Sequence, residues 1–217
     1  MAGSQGLLWT ALIASGLYHG LNPAMGWPLA VSAGLWTKKT SSLARAMLLL
    51  GVGHLLAMCL VLLPMALLTR LIFRLTEIRI SAGAFVVAFG LWRLLQPRHP
   101  RALARIHPSR LILWSFLMAT AHGAALLLVP VYLGMSPSNG HHVHTVVSNA
   151  PLSPLVSAAL VSIVHTLTMT LAGGAIAWLI FRHLGLRFLR TGWLNLDTIW
   201  ALSLIVSGAA GVLSALS

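Results

Sequence analysis

Long apolar stretches separated by short polar breaks run through the chain. A helix needs about 20 apolar residues to cross the hydrocarbon core of a bilayer. The pattern predicts six such spans, at roughly 6–36, 43–69, 79–95, 110–135, 154–181 and 195–215. The first is interrupted at Asn22-Pro23 and again at Pro28, and the fourth contains Gly123 and Pro130. Helix is the required state, because backbone groups left unpaired in lipid are costly. A membrane β-barrel would show alternating segments of roughly ten residues. These runs are longer and apolar on every side.

The spans fall into two matching sets. "YHGLNPAMGWPLAVSAGL", from Tyr18, and "AHGAALLLVPVYLGM", from Ala121, both hold His-Gly, then a proline, then a glycine. The next spans carry "GHLLAMCL" and "VHTLTMTL", which place His54 before Met58 and His165 before Met169, four residues apart in each case. That spacing puts each His and Met on one helix face. The third spans both reach glycines, Gly90 and Gly208. Three spans per copy is an odd number, so the second copy must enter the membrane upside down. The expected fold is therefore an all-α membrane protein of six transmembrane helices, arranged as two inverted three-helix repeats with broken first helices. The repeats cover approximately 6–95 and 110–215 of a single domain spanning 1–217. Transporters built this way bind their cargo near the midplane, at the helix breaks. A break at His19-Gly20 or Asn22-Pro23 should free backbone groups that can face an ion or polar solute.

Charge sharpens this picture. Only 7% of the 217 residues are charged, with 14 Lys and Arg against two acids, Glu77 and Asp197. A soluble domain carries about a quarter charged residues. The mean hydropathy is +0.90. The basic residues lie in the breaks, where they meet anionic headgroups, so nucleic acid is not the expected partner. Lys38, Lys39, Arg45, Arg98, Arg101, Arg105, Arg182, Arg187 and Arg190 fall in the breaks after spans one, three and five. By the positive-inside rule that side is cytoplasmic and both termini are outside. Arg70, Arg74 and Arg79 run against the rule, and a short interfacial helix would accommodate them. "MAGSQG" lacks the basic start of a signal peptide, so Met1–Ser217 reads as the mature chain. The expected location is the bacterial inner membrane, as a multi-pass protein. Cys59 is the single cysteine, so no intrachain disulfide can form.

The candidate site is His19, His54, His122 and His165. Ionisable residues inside a membrane usually face a cavity or a partner, and neutral imidazole is the commonest metal ligand. Met58 and Met169, with Met25 and Cys59 nearby in sequence, would add soft sulfur. Nitrogen plus sulfur suits Cu(I) and other late first-row ions. The competing reading makes the histidines interhelical hydrogen-bonding groups and the methionines packing. Asn22 is either a polar group in the cavity or a turn residue before Pro23. Asp197 is either a proton-coupling acid or a residue that caps its helix or pairs with Arg190. His141, His142 and His144, in the polar linker "SPSNGHHVHTVVSNAP", either gather metal outside or form an ordinary solvated loop.

At "HGLNP", with His54 some three dozen residues on and "VHT" at 164–166, the chain resembles the nickel/cobalt exporter (NicO) and urease-accessory branch of the LysE-like transporters. The "HHVH" loop is similar in kind to the histidine-rich loop of those exporters. The resemblance implies six helices and metal-cation efflux. Two positions depart from the family pattern. Asn22 stands where an acid is usual, and Met25 where a second histidine is usual.

The resulting expectation is a membrane transporter of a small cation, a transition metal first, or of a small polar solute. Histidine protonation offers a coupling to protons. Two other classes stay open: a membrane metalloprotein with bis-histidine haem or hydrolytic zinc, and a proton-conducting subunit of a larger complex. A homo-oligomer is compatible with any of them.

Overall fold

The computed structural model describes residues 2–71, 75–95, 106–135, 153–183 and 196–216. Among the described residues every regular element is helical. The α-helices are α1 (Ala2–Leu21), α2 (Trp27–Thr37), α3 (Thr40–Leu71), α4 (Leu75–Leu95), α5 (Leu111–His122), α6 (Ala124–Met135), α7 (Ser153–His183) and α8 (Leu196–Leu216). Single 3-10 turns sit at Pro23–Met25 and Pro108–Arg110.

Two of these helices contain stretches long and apolar enough to cross a membrane, Thr40–Leu68 and Pro154–His183. A third span results if Pro108–His122 and Ala124–Leu133 are taken together across their 62° bend. In α4 and α8 the apolar stretch is shorter, Ile80–Leu95 and Leu204–Leu213. Among the described residues the chain thus has two to three spans of this kind, as a helical membrane protein does. The arginines Arg70 and Arg79 fall in the last turn of α3 and the second turn of α4, so among the described residues no separate interfacial helix carries them.

The helix breaks have local causes. Asn22 ends α1 by capping the 3-10 turn: its Oδ1 accepts from the Ala24 N–H at 3.0 Å. Gly26 then adopts φ 101°, and a Cβ there would lie 2.7 Å from Trp114 and 2.9 Å from Leu50. Only glycine combines that backbone with that approach. Pro28 falls in the first turn of α2, where its missing N–H costs nothing. It continues the helix, so the expected second interruption is absent. In the other half Gly123, with φ 70°, separates α5 from α6. Pro64 and Pro130 lie inside α3 and α6.

The two halves run through the same succession: a broken helix, a helix of 32 or 31 residues, then one of 21 residues. The strongest packings are α4 on α8, α3 on α7, α1 on α7 and α3 on α5. Exchanging the halves turns the last two into each other and leaves the first two unchanged. The exchange is incomplete, because α6 packs on α8 and α4 whereas α2 packs on α3 and α7. Glycines set the closeness of these contacts. A Cβ at Gly83 would come within 2.8 Å of the Gly208 carbonyl, and one at Gly208 within 2.7 Å of the Gly83 carbonyl. Small residues permit this approach between membrane helices.

Two apolar cores flank the centre. One joins Leu12, Met58, Leu62, Leu128 and Tyr132. The other joins Trp27, Leu43, Leu50, Leu111 and Ile180. The second core gathers the first turns of α2, the starts of α3 and α5 and the end of α7 at one end of the bundle. The ends of α3, α5 and α7 found there adjoin the basic breaks.

Candidate functional site: a buried histidine triad

Between these cores, α1, α3 and α7 each bring one histidine to a common point. His19, His54 and His165 are essentially inaccessible to solvent. Each offers a ring nitrogen, and these nitrogens all lie within 4.8 Å of one another. The ring centroids are 5.0 Å apart for His19–His165, 5.5 Å for His19–His54 and 5.6 Å for His54–His165. His19 stands edge-on to both neighbours, while His54 and His165 are nearly parallel.

Glycines on α1 explain how the rings meet. A Cβ at Gly20 would run into the Met169 carbonyl and come 2.7 Å from Ala172. One at Gly16 would lie 3.0 Å from the His165 carbonyl. Their four-residue spacing puts both on one face of α1. That face seats α1 on α7 and carries His19 down beside His165.

The hydrogen bonds fix the state of His165. The Ser15 hydroxyl donates to the Leu12 carbonyl at 2.8 Å. A hydroxyl has one proton, so the contact between Ser15 Oγ and His165 Nδ1 at 3.1 Å requires the ring Nδ1–H to donate. A neutral His165 then carries its lone pair on Nε2. That Nε2 is buried without a hydrogen-bond partner, as is Nε2 of His54. A ring N–H bound to an oxygen, with the opposite nitrogen directed elsewhere, is the arrangement that orients metal-binding histidines. Sequence patterning did not single out Ser15. The signal was present: Ser15 lies one turn before His19, a polar pair on one face of an apolar helix.

His122 does not join the triad. It is buried at the end of α5, and its Nδ1–H donates to the Met118 carbonyl at 2.9 Å. It lies near enough to His19 for an electrostatic interaction. The four-histidine site expected from the repeat is thus a three-histidine site with the fourth beside it. The cause is positional: His122 closes α5 at the break, whereas two further residues follow His19 in α1.

Other candidates separate by their surroundings. Asn22 is buried, and its Oδ1 serves the turn through Ala24. Met58 is fully buried in the apolar core with Leu12 and Leu62, a packing position. Met169 and Met25 are buried, and Cys59 is a half-buried free thiol. Asp197 is the second residue of α8, and its side chain lies outside the described residues, as do His141, His142 and His144. The carbonyls at the first break are used locally. Asn22 N donates to His19 O, Trp27 Nε1 to Leu21 O, Met25 N to Asn22 O and Gly26 N to Pro23 O. The break therefore turns the chain, and the polar character of the site comes from imidazole.

The ligand atoms of a tetrahedral zinc-like ion with nitrogens at 2.0–2.1 Å lie about 3.3 Å apart. The three ring nitrogens, which lie within 4.8 Å of one another, would draw together around a bound ion to reach that spacing. Three buried neutral nitrogens can therefore hold a metal ion and leave a fourth position open. No carboxylate joins the triad among the described residues. The chain matches no family model, no curated protein and no solved structure.

Proposed function

We propose that this chain is a six-span membrane transporter that carries a transition-metal cation through the His19–His54–His165 site. The observation that carries the reading is the convergence of three buried ring nitrogens from α1, α3 and α7, all within 4.8 Å of one another. One of those helices ends two residues after its histidine, at the Asn22–Gly26 break. Half-site exchange of the α1–α7 and α3–α5 packings supports an inverted repeat, with α1–α2 and α5–α6 as its broken first helices. The breaks beside His19 and His122 supply places where one half can rock against the other.

The donor set suits a cargo. Three neutral nitrogens without a carboxylate leave the ion's charge uncompensated, which argues for a borderline or soft ion of low charge such as Cu(I) over hard divalent cations. It also limits affinity, and a transported ion must leave as readily as it enters. The "HGLNP" start resembles that of the nickel/cobalt exporters, and Asn22 in place of the family's acid fits a shift towards softer cargo. The haem reading is disfavoured by the ring contacts: a porphyrin would have to pass between axial imidazoles, and these rings touch one another. The end carrying Lys38, Arg45 and Arg182 is assigned to the cytoplasmic face of a bacterial inner membrane.

The test is flux. Proteoliposomes containing the chain should move Cu(I), or failing that Ni²⁺, Co²⁺ or Zn²⁺, down an imposed gradient. His54→Ala should abolish the movement. Equal flux for the chain and for His54→Ala would remove the triad from the transport path.

A further inference from the structure

We infer that the cavity between α2, α3 and the start of α5 holds the phosphate headgroup of an anionic phospholipid. The cavity measures about 600 Å³, lies at the basic end of the bundle and shares no lining residue with the histidine triad. Its polar lining includes Arg45, His107 and Ser42, and its apolar lining includes Leu29, Trp36 and Leu49. No acidic residue lines it. A polar and cationic part beside an apolar wall matches a headgroup followed by the first methylenes of its acyl chains.

Each polar group is suited to an anion. Arg45 is exposed and makes no ion pair among the described residues, so its guanidinium is available to a phosphate. His107 Nδ1 accepts from the Ser109 N–H at 3.4 Å and lies 2.8 Å from the Ser109 hydroxyl. Its ring proton therefore sits on Nε2, which makes Nε2–H a donor. Trp36 is 75% exposed at the last turn of α2, next to Lys38 and Lys39, a combination that marks the level of the headgroups. Basic pockets between membrane helices on the cytoplasmic side are sites for anionic headgroups. A cation vestibule is the wrong use for this cavity, because Arg45 would repel the ion. The inference needs only that the chain lies in a bilayer, and it stands apart from any transport activity.

The experiment uses the full chain in neutral detergent. Bound lipid is measured by native mass spectrometry and thermal stability is followed in parallel. Phosphatidylglycerol should remain bound and raise the unfolding temperature. Phosphatidylcholine and inorganic phosphate at equal concentration should not. Arg45→Gln should weaken phosphatidylglycerol binding about five- to tenfold, Arg45→Lys should restore most of it, and His107→Gln should weaken it less. Arg182→Gln, a cation at the same end outside the cavity, should leave it unchanged. Equal retention of phosphatidylcholine would overturn the inference. So would a rise reproduced by phosphate alone, which would indicate a soluble anion site, or unaltered binding in both Arg45→Gln and His107→Gln.

Discussion

Ser15 on α1 receives the Nδ1–H of His165 on α7, across 3.1 Å, while handing its own proton to the Leu12 carbonyl. One serine hydroxyl thereby fixes the tautomer of a histidine 150 residues away in sequence. Removing that partner leaves the ring free to rotate and to change tautomer. Loss of such a supporting bond typically costs 10–100-fold in metal affinity. Ser15→Ala should therefore bind a metal at unchanged stoichiometry but with roughly tenfold or more weaker affinity. A competition titration against a chelator of known affinity reads this directly. An unchanged affinity would mean that the bond does not organise the site.

The triad stores polar atoms that packing alone would not retain. Nε2 of His54 and of His165 are buried without hydrogen-bond partners. Replacing a buried unsatisfied group by an apolar side chain of similar size can be neutral or stabilising. His54→Leu should consequently keep or raise the unfolding temperature of the metal-free protein while losing metal. A clear fall in the unfolding temperature of the metal-free form would instead assign His54 to structural hydrogen bonding.

Protons compete with a metal ion for the same imidazole nitrogens. Metal retention should fall as the pH is lowered, and more steeply than for one proton, since three rings share one site. Equilibrium dialysis carried from about pH 7 down to about pH 3, a range that covers both ordinary and buried imidazoles, measures the slope. Retention independent of pH would point to ligands other than histidine.

The α1–α7 seat is a packing device, and Gly20 is its tightest point. A methyl group there meets the Met169 carbonyl and the Gly173 nitrogen, both backbone atoms that cannot swing aside. Gly20→Ala should destabilise the protein by about 1–3 kcal/mol, as overpacking does. It should also weaken metal binding by lifting His19 from His165. Gly6→Ala, where a Cβ meets nothing within 4 Å, is the matched control. Thermal unfolding with metal titration on both variants distinguishes seat from bystander.

Much of this architecture is legible in the residues. The apolar runs placed at roughly 43–69 and 154–181 correspond to α3 and α7 within a few residues, because apolar length alone dictates a helix in lipid, and the run at 195–215 falls on α8. The breaks at Asn22 and Gly123 were visible as an Asn-Pro pair and a His-Gly pair. Pro28 misled because proline interrupts a helix only where its N–H was needed or its ring clashes. The histidine repeat located three of the triad's neighbourhoods but not the triad itself. A four-fold pattern in sequence does not specify which rings converge, and the end of α5 at His122 is a tertiary outcome. Ser15 was hidden for a related reason: its importance lies in a partner on another helix. The apolar length of α4 and α8 likewise understates them, since it does not show the close approach of the two helices at Gly83 and Gly208.

Metal stoichiometry of the purified full chain, measured by elemental analysis after loading with Cu(I) and separately with Zn²⁺, Ni²⁺ and Co²⁺, probes the central claim most directly. The expected result is one ion per chain for at least one of these metals. It should be lost in His19→Ala, His54→Ala and His165→Ala, and retained in His122→Ala. A chain that binds none of them, or triad variants that keep the ion, would contradict the account.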